Sequence, residues 1–214
     1  MPNPAASPGD APEHGNRGRS QASDGATTDM RDRIINASAA VYAEHGYHGS
    51  SVERILQAAG ISRPTFYRYF SDRYDAIDAV ISDVNTQLLH SILQAINQAT
   101  SLDDLLEAAV DAYFDWGRNH GPLVGSIYRE IHDAASPASE RRSQVQASLR
   151  DAFAQAGRGA PAVVDEPLLY EAAIHLVEHL GHATFWPAPV AEAERLHRRR
   201  IILRALRAMF SEQG

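Results

Sequence analysis

The sequence predicts an all-α protein, a small three-helix head followed by a larger helical body. Three observations carry that expectation. Apolar residues recur at helical spacings along most of the chain. Ser or Asp stands ahead of several of these periodic runs and Gly or Pro behind them, as helix starts and stops require. No period-2 alternation lasts long enough to write a strand. With 214 residues, 44% of them apolar, the chain has material for a sizeable core.

Composition excludes several function classes. There is no cysteine, which removes disulfides, thiolate metal sites and cysteine nucleophiles together and fits a reducing compartment. No apolar run approaches the roughly 20 residues that span a bilayer, and the N-terminus lacks the apolar stretch of a signal peptide. The expectation is a cytoplasmic protein without a membrane partner. All 20 basic residues are arginine, and the net charge is −7. That charge is unevenly placed: residues 29–73 hold six arginines against five acids, and residues 74–214 twelve against nineteen. An acidic body behind a slightly basic head suits a protein that presents its head to a polyanion.

Residues 1–28 are rich in Pro, Gly, Ser and Ala and carry no aromatic or branched aliphatic side chain, so the expectation there is a disordered tail. The run RIINASAAVYAEHGY then writes the first helix, with Ile34, Ala37, Val41 and Tyr42 on one face. Gly46 closes it, where a left-handed residue is wanted. Ser50 and Glu53 have the spacing of a capping box ahead of Val52, Ile55, Leu56 and Ala59, a short second helix closed by Gly60. Ser62 caps the third helix, with Ile61 and Phe66 spaced as a hydrophobic staple. Pro64 falls in its first turn, where a backbone N–H has no intrahelical partner to lose.

A short helix, the Ala59-Gly60-Ile61 corner and a second short helix meet the requirements of a helix-turn-helix, whose second helix projects into a major groove while the first braces it. In SRPTFYRYF, Phe66 and Phe70 face inward and leave Arg63, Pro64, Thr65, Tyr67, Arg68 and Tyr69 on other faces. These types suit DNA. Arginine forks onto guanine, Pro and the Thr methyl touch a thymine methyl, and tyrosine hydroxyls donate to phosphates.

Over roughly 45 residues, RIINASAAVYAEHGYHGSSVERILQAAGISRPTFYRYFSDRYDAI resembles the N-terminal domain of the TetR family of bacterial transcription regulators. Ala59 to Phe70 fit that family's A-G-[IV]-S-x-x-T-[FL]-Y-x-[YH]-F core. The Arg63-Pro64-Thr65-Phe66-Tyr67 string resembles the branch that includes the repressor of ethionamide activation. The resemblance implies a helix-turn-helix DNA-binding domain over residues 29–75 and a ligand-binding and dimerisation domain over 76–214. It implies a homodimeric repressor on a palindromic operator in double-stranded DNA, released by a small-molecule effector, with neither a cofactor nor catalysis. The DNA contacts it implies are Ser51, Arg63, Pro64, Thr65, Tyr67, Arg68, Tyr69 and Arg73. There are departures: Leu56 and Ser38 replace usual alanines, and Asp72-Arg73-Tyr74-Asp75-Ala76 stands for a usual S-K-E-x-L, with Arg73 able to bind a phosphate in the lysine's place.

The body is punctuated by Gly121-Pro122, Pro137, the stretch from Gly157 to Pro161, Pro167 and Pro187/Pro189. The signals predict helices at 73–99, from Ser101 to Gly121, and near 122–133, 138–156, 166–184 and 190–211. His175, His179 and His182, with Glu171 and Glu178, have spacings that could place them on one helical face, which leaves a metal-responsive regulator or a metal-dependent enzyme as the alternative. The arginines at 195 and 198–200 alternate with Glu192 and Glu194 as a salt-bridged face. Leu196, Leu203, Leu206 and Phe210 form a stripe that, with the apolar side of 166–184, is the expected dimer interface. Tyr113, Trp116, Tyr128 and Phe185 are the expected wall of an apolar effector pocket.

Overall fold

The computed structural model of the protein describes residues 17–157 and 166–210, and every described element is a helix. In chain order they are α1 (Arg17–Gly49), α2 (Val52–Ala59), α3 (Arg63–Tyr67), α4 (Arg73–Gln98), α5 (Leu102–Glu130), α6 (Pro137–Gly157), α7 (Pro167–His182) and α8 (Glu192–Phe210).

Helix α1 begins at Arg17, inside the segment expected as an unstructured tail; residues 1–16 of that expectation lie outside the described residues. Once the amphipathic part of the helix has formed, extending it backwards adds one hydrogen bond per residue without a new nucleus. At the other end Gly46 takes φ 65, ψ −177, so the helix breaks where the sequence signal put the break. Helix α5 breaks in the same way at Gly121 (φ 36, ψ −112), ahead of Pro122.

The caps follow local chemistry, with one shift of register. Ser51, not Ser50, caps α2, accepting from the Arg54 N–H. The buried Ser50 hydroxyl is instead turned back onto α1, donating to the Gly46 carbonyl at 2.6 Å. Gly60 ends α2 at φ 61, ψ 42, a conformation that costs a β-carbon residue roughly 1–2 kcal/mol. Ser62 caps α3 and Ser101 caps α5. Asp72 accepts the Asp75 N–H at the start of α4, and Asp75 in turn accepts the Ser71 N–H. This reciprocal pair stands where the family's usual acid and leucine are missing.

Two apolar clusters define the architecture. Ile34, Val41, Ile55, Phe66, Phe70 and Ala76 make the core of the head. The body core runs through α4 to α8 and includes Tyr42 and Tyr47 of α1, so α1 belongs to both. Leu203, Leu206 and Phe210 are 2%, 2% and 4% exposed within their own subunit. This overturns their assignment to a dimer interface: they fill the protomer's core, while Leu196 and Ile201 remain 45% and 44% exposed. Cross-helix ion pairs tie α8 and α6 to the rest, Arg199 to Asp111 and Glu107, Arg207 to Asp103 and Glu107, and Arg141 to Asp78.

Candidate functional site

The head presents α3 as a rigid projection. Phe66 is fully buried and Phe70 nearly so, which turns Arg63, Pro64, Tyr67 and Arg68 outward and leaves Thr65 and Tyr69 half-buried. Arg63 is exposed and ion-paired with Glu53 of α2. The Arg68 guanidinium lies 5.2 Å from the Tyr69 ring centroid, and Thr65 shares a hydrogen bond with the Ser62 hydroxyl. Ser51 is held as the α2 cap. Arg73 differs from the sequence-based expectation. Its Nη1 donates to the carbonyls of Ser50 at 2.7 Å and Tyr47 at 3.3 Å, and its guanidinium lies 4.5 Å over the Tyr47 ring. It clasps the α1–α2 corner to the start of α4 rather than standing free for a phosphate.

The body holds a cavity of about 290 Å³, near the lower end of the roughly 300–1,000 Å³ usual for ligand sites. It is elongated along α4. On α4 and its C-cap the wall runs from Asn85 through Leu88, Ile92 and Ile96 to Ala99, a rise of about 21 Å. Tyr113, Trp116 and Tyr128 line it as expected, but Phe185 does not. Phe185 is packed against Gly117, where an added Cβ would fall 2.0 Å from its ring; it wedges the α7–α8 connection onto α5. Most of the wall is aliphatic; beside Asn85, Thr100 and Ser101 it carries a polar cluster of Tyr113, Tyr128, Arg142, Gln146 and Glu178. There the two phenols meet at 2.6 Å, and Arg142 forks onto the Glu178 carboxylate with two bonds of 2.8 Å. Burial pushes both phenols above their ordinary range, so they remain protonated donors.

The histidine face does not converge. His182 stacks on Tyr128 with ring centroids 3.9 Å apart, Glu178 is engaged by Arg142 and Gln146, and His175 and His179 are exposed. No group of three or more His, Asp or Glu among the described residues is placed to hold a metal ion. Within the described protomer the three histidines are not brought together as a ligand set.

Residues 34–80 match the family described as "Bacterial regulatory proteins, tetR family". The match gives the head of the chain a domain of the TetR type. Over 88 residues it is 31% identical to the HTH-type transcriptional activator FasR of Mycolicibacterium smegmatis, covering 41% of this chain and 40% of that one. Over 82 residues it is 28% identical to the fatty acid metabolism regulator protein of Bacillus subtilis, covering 38% and 42%. The chain thus matches about two fifths of the length of these relatives. The fold extends further: a structure of the fatty acid degradation regulator FadR from Bacillus halodurans superposes with a TM-score of 0.68 at 20% identity, over 83% of this chain and 96% of that one. The TetR family is one of DNA-binding regulators, not enzymes.

Sequence reasoning missed the residues that join head to body. Glu130, 8% exposed, accepts from the Tyr42 hydroxyl at 2.9 Å, the Tyr47 N–H at 2.6 Å and the Ser136 hydroxyl at 2.9 Å. Ser126 donates to the Ala43 carbonyl at 3.0 Å. Nothing in the local sequence distinguishes Glu130 from a solvated acid at a helix end. It is the break at Gly121 and the approach of α1 that bury it.

Proposed function

We propose that the protein is a homodimeric transcriptional repressor that reads a palindromic operator in double-stranded DNA through Ser51, Arg63, Pro64, Thr65, Tyr67, Arg68 and Tyr69, and is released by an apolar, chain-like effector. The carrying observation is an elongated, largely aliphatic cavity in a body bonded directly to a helix-turn-helix head. A flexible alkyl or acyl chain matches a space that extends about 21 Å along α4. Two relatives whose names place them in fatty acid metabolism or degradation support this class. A cytoplasmic location follows from the DNA target.

Ile127, Tyr128 and Ile131 face the cavity while Ser126 and Glu130 in the same segment hold α1. A ligand that displaces this segment displaces the head. Release requires only that the ligand bind better to the conformer with misplaced α3 helices than to the operator-bound one. For the dimer, the available surface is the outer face of α7 and α8, with Leu168, His175 and His179 on one and Leu196 and Ile201 on the other.

The test is a titration of DNA from the promoter beside the protein's own gene, read by fluorescence anisotropy with and without a long-chain acyl compound. The expected outcome is tight, salt-dependent binding that the compound weakens. Equal binding to unrelated DNA would end the operator reading, and tighter operator binding with the compound would assign it as a co-repressor or co-activator instead.

A further inference from the structure

Within the acyl-effector reading above, the charges at the polar end of the cavity set which form of the chain is accepted. Arg142 and Glu178 supply the cation and the carboxylate among the cavity's lining residues, and each is engaged by the other. Arg142 Nε and Nη2 both donate to Glu178, and Gln146 Nε2 donates to the same carboxylate at 2.8 Å. The pair is largely buried, with side-chain exposures of 26% and 16%. Beside it the Tyr113 and Tyr128 hydroxyls bond to one another, and Tyr113 also donates to the Glu178 carbonyl at 3.3 Å.

We infer that this site selects an acyl chain whose head is uncharged, such as an ester, thioester or alcohol, and rejects the free fatty acid. A carboxylate entering here meets an arginine whose fork is already matched to a carboxylate, and it brings a second negative charge next to Glu178 in a site of reduced dielectric. It would also leave water without a replacement hydration shell. An ester or thioester carbonyl carries no such cost. It accepts from a phenol, and the phenols stay protonated because burial holds them far from ionising. The Arg142–Glu178 pair acts as an internal counter-charge that keeps the end polar but neutral.

The experiment uses the full chain and two probes, dodecanoic acid and its methyl ester, with binding read from the emission of Trp116, which lines the cavity. At pH 7.5 the ester is expected to bind at least ten-fold more tightly than the acid. In Glu178→Gln, where Arg142 loses its carboxylate, the acid should gain at least ten-fold and equal or overtake the ester. In Arg142→Gln, which leaves Glu178 unpaired, the acid should weaken further. A damaged fold cannot produce a gain for one probe alone, so the Glu178→Gln result separates charge selection from instability. Equal affinities for acid and ester in the parent, or an acid preference, would overturn the inference while leaving the acyl cavity intact. Binding of neither probe would remove the acyl reading and the inference together.

Discussion

Ser38 stands where the family commonly has alanine, and the structure shows what that substitution does. Its side chain is fully buried and its hydroxyl has no hydrogen-bond partner among the described residues. A buried, unsatisfied hydroxyl costs about 1–3 kcal/mol, so Ser38→Ala is expected to raise stability by about 1 kcal/mol in chemical denaturation, with operator binding unchanged. Arg63 and Arg73 separate in the same way. Arg63→Ala removes an exposed side chain at the start of α3 and should cost about 1–3 kcal/mol of operator binding with relaxed specificity at one base pair, leaving the fold intact. Arg73→Ala breaks the clasp on the Ser50 and Tyr47 carbonyls. Its expected signature is therefore lost thermal stability of the head as well as weaker DNA binding, and a variant as stable as the parent would restore Arg73 to the role of a plain phosphate contact.

The segment after the break in α5 is the element through which the cavity reaches the head. Tyr42 and the backbone of Tyr47 converge on Glu130, and burial together with the Glu130 charge pushes the Tyr42 phenol up, keeping it a donor. Glu130→Gln keeps the shape but replaces one acceptor oxygen by a donor, which sets it against the hydroxyl and N–H groups that now point at it. The expected outcome is a shrinking of the ratio of operator affinities without and with effector, while effector affinity in the absence of DNA stays within about two-fold, since coupling is a free energy separate from either binding step. Measuring both affinities decides it: an unchanged ratio would show that the head is moved through another contact.

For the assembled molecule, burial redirects the test of dimerisation. Leu206→Asp would place a carboxylate in the protomer's own core and unfold it, which says nothing of assembly. Ile201→Asp changes an exposed residue on the outer face of α8. It is expected to give folded monomers by light scattering with helical circular dichroism retained and operator affinity sharply reduced, because each small head then binds alone. A variant that remains dimeric would place the interface elsewhere.

The local code made much of this protein legible in advance. The breaks at Gly46, Gly60 and Gly121, the Ser62 and Ser101 caps and the inward Phe66 and Phe70 follow from short-range sterics and hydrogen bonding, which neighbouring residues settle among themselves. The helix-turn-helix spacing is of the same kind, so the head and the outward side chains of α3 could be read from sequence. Three things could not. Ser50 rather than Ser51 has the capping-box spacing, yet its hydroxyl turns back onto the Gly46 carbonyl. The stripe of Leu203, Leu206 and Phe210 has helical periodicity whether it packs on its own subunit or on a second one; the position of α8 against α5 and α7 decides. Glu130 and Arg142 carry no local signal, and Glu178 reads as part of a histidine face, until the packing of α1, α6 and α7 gives each its partners. Periodicity specifies that a face is buried, and the three-dimensional packing alone specifies against what.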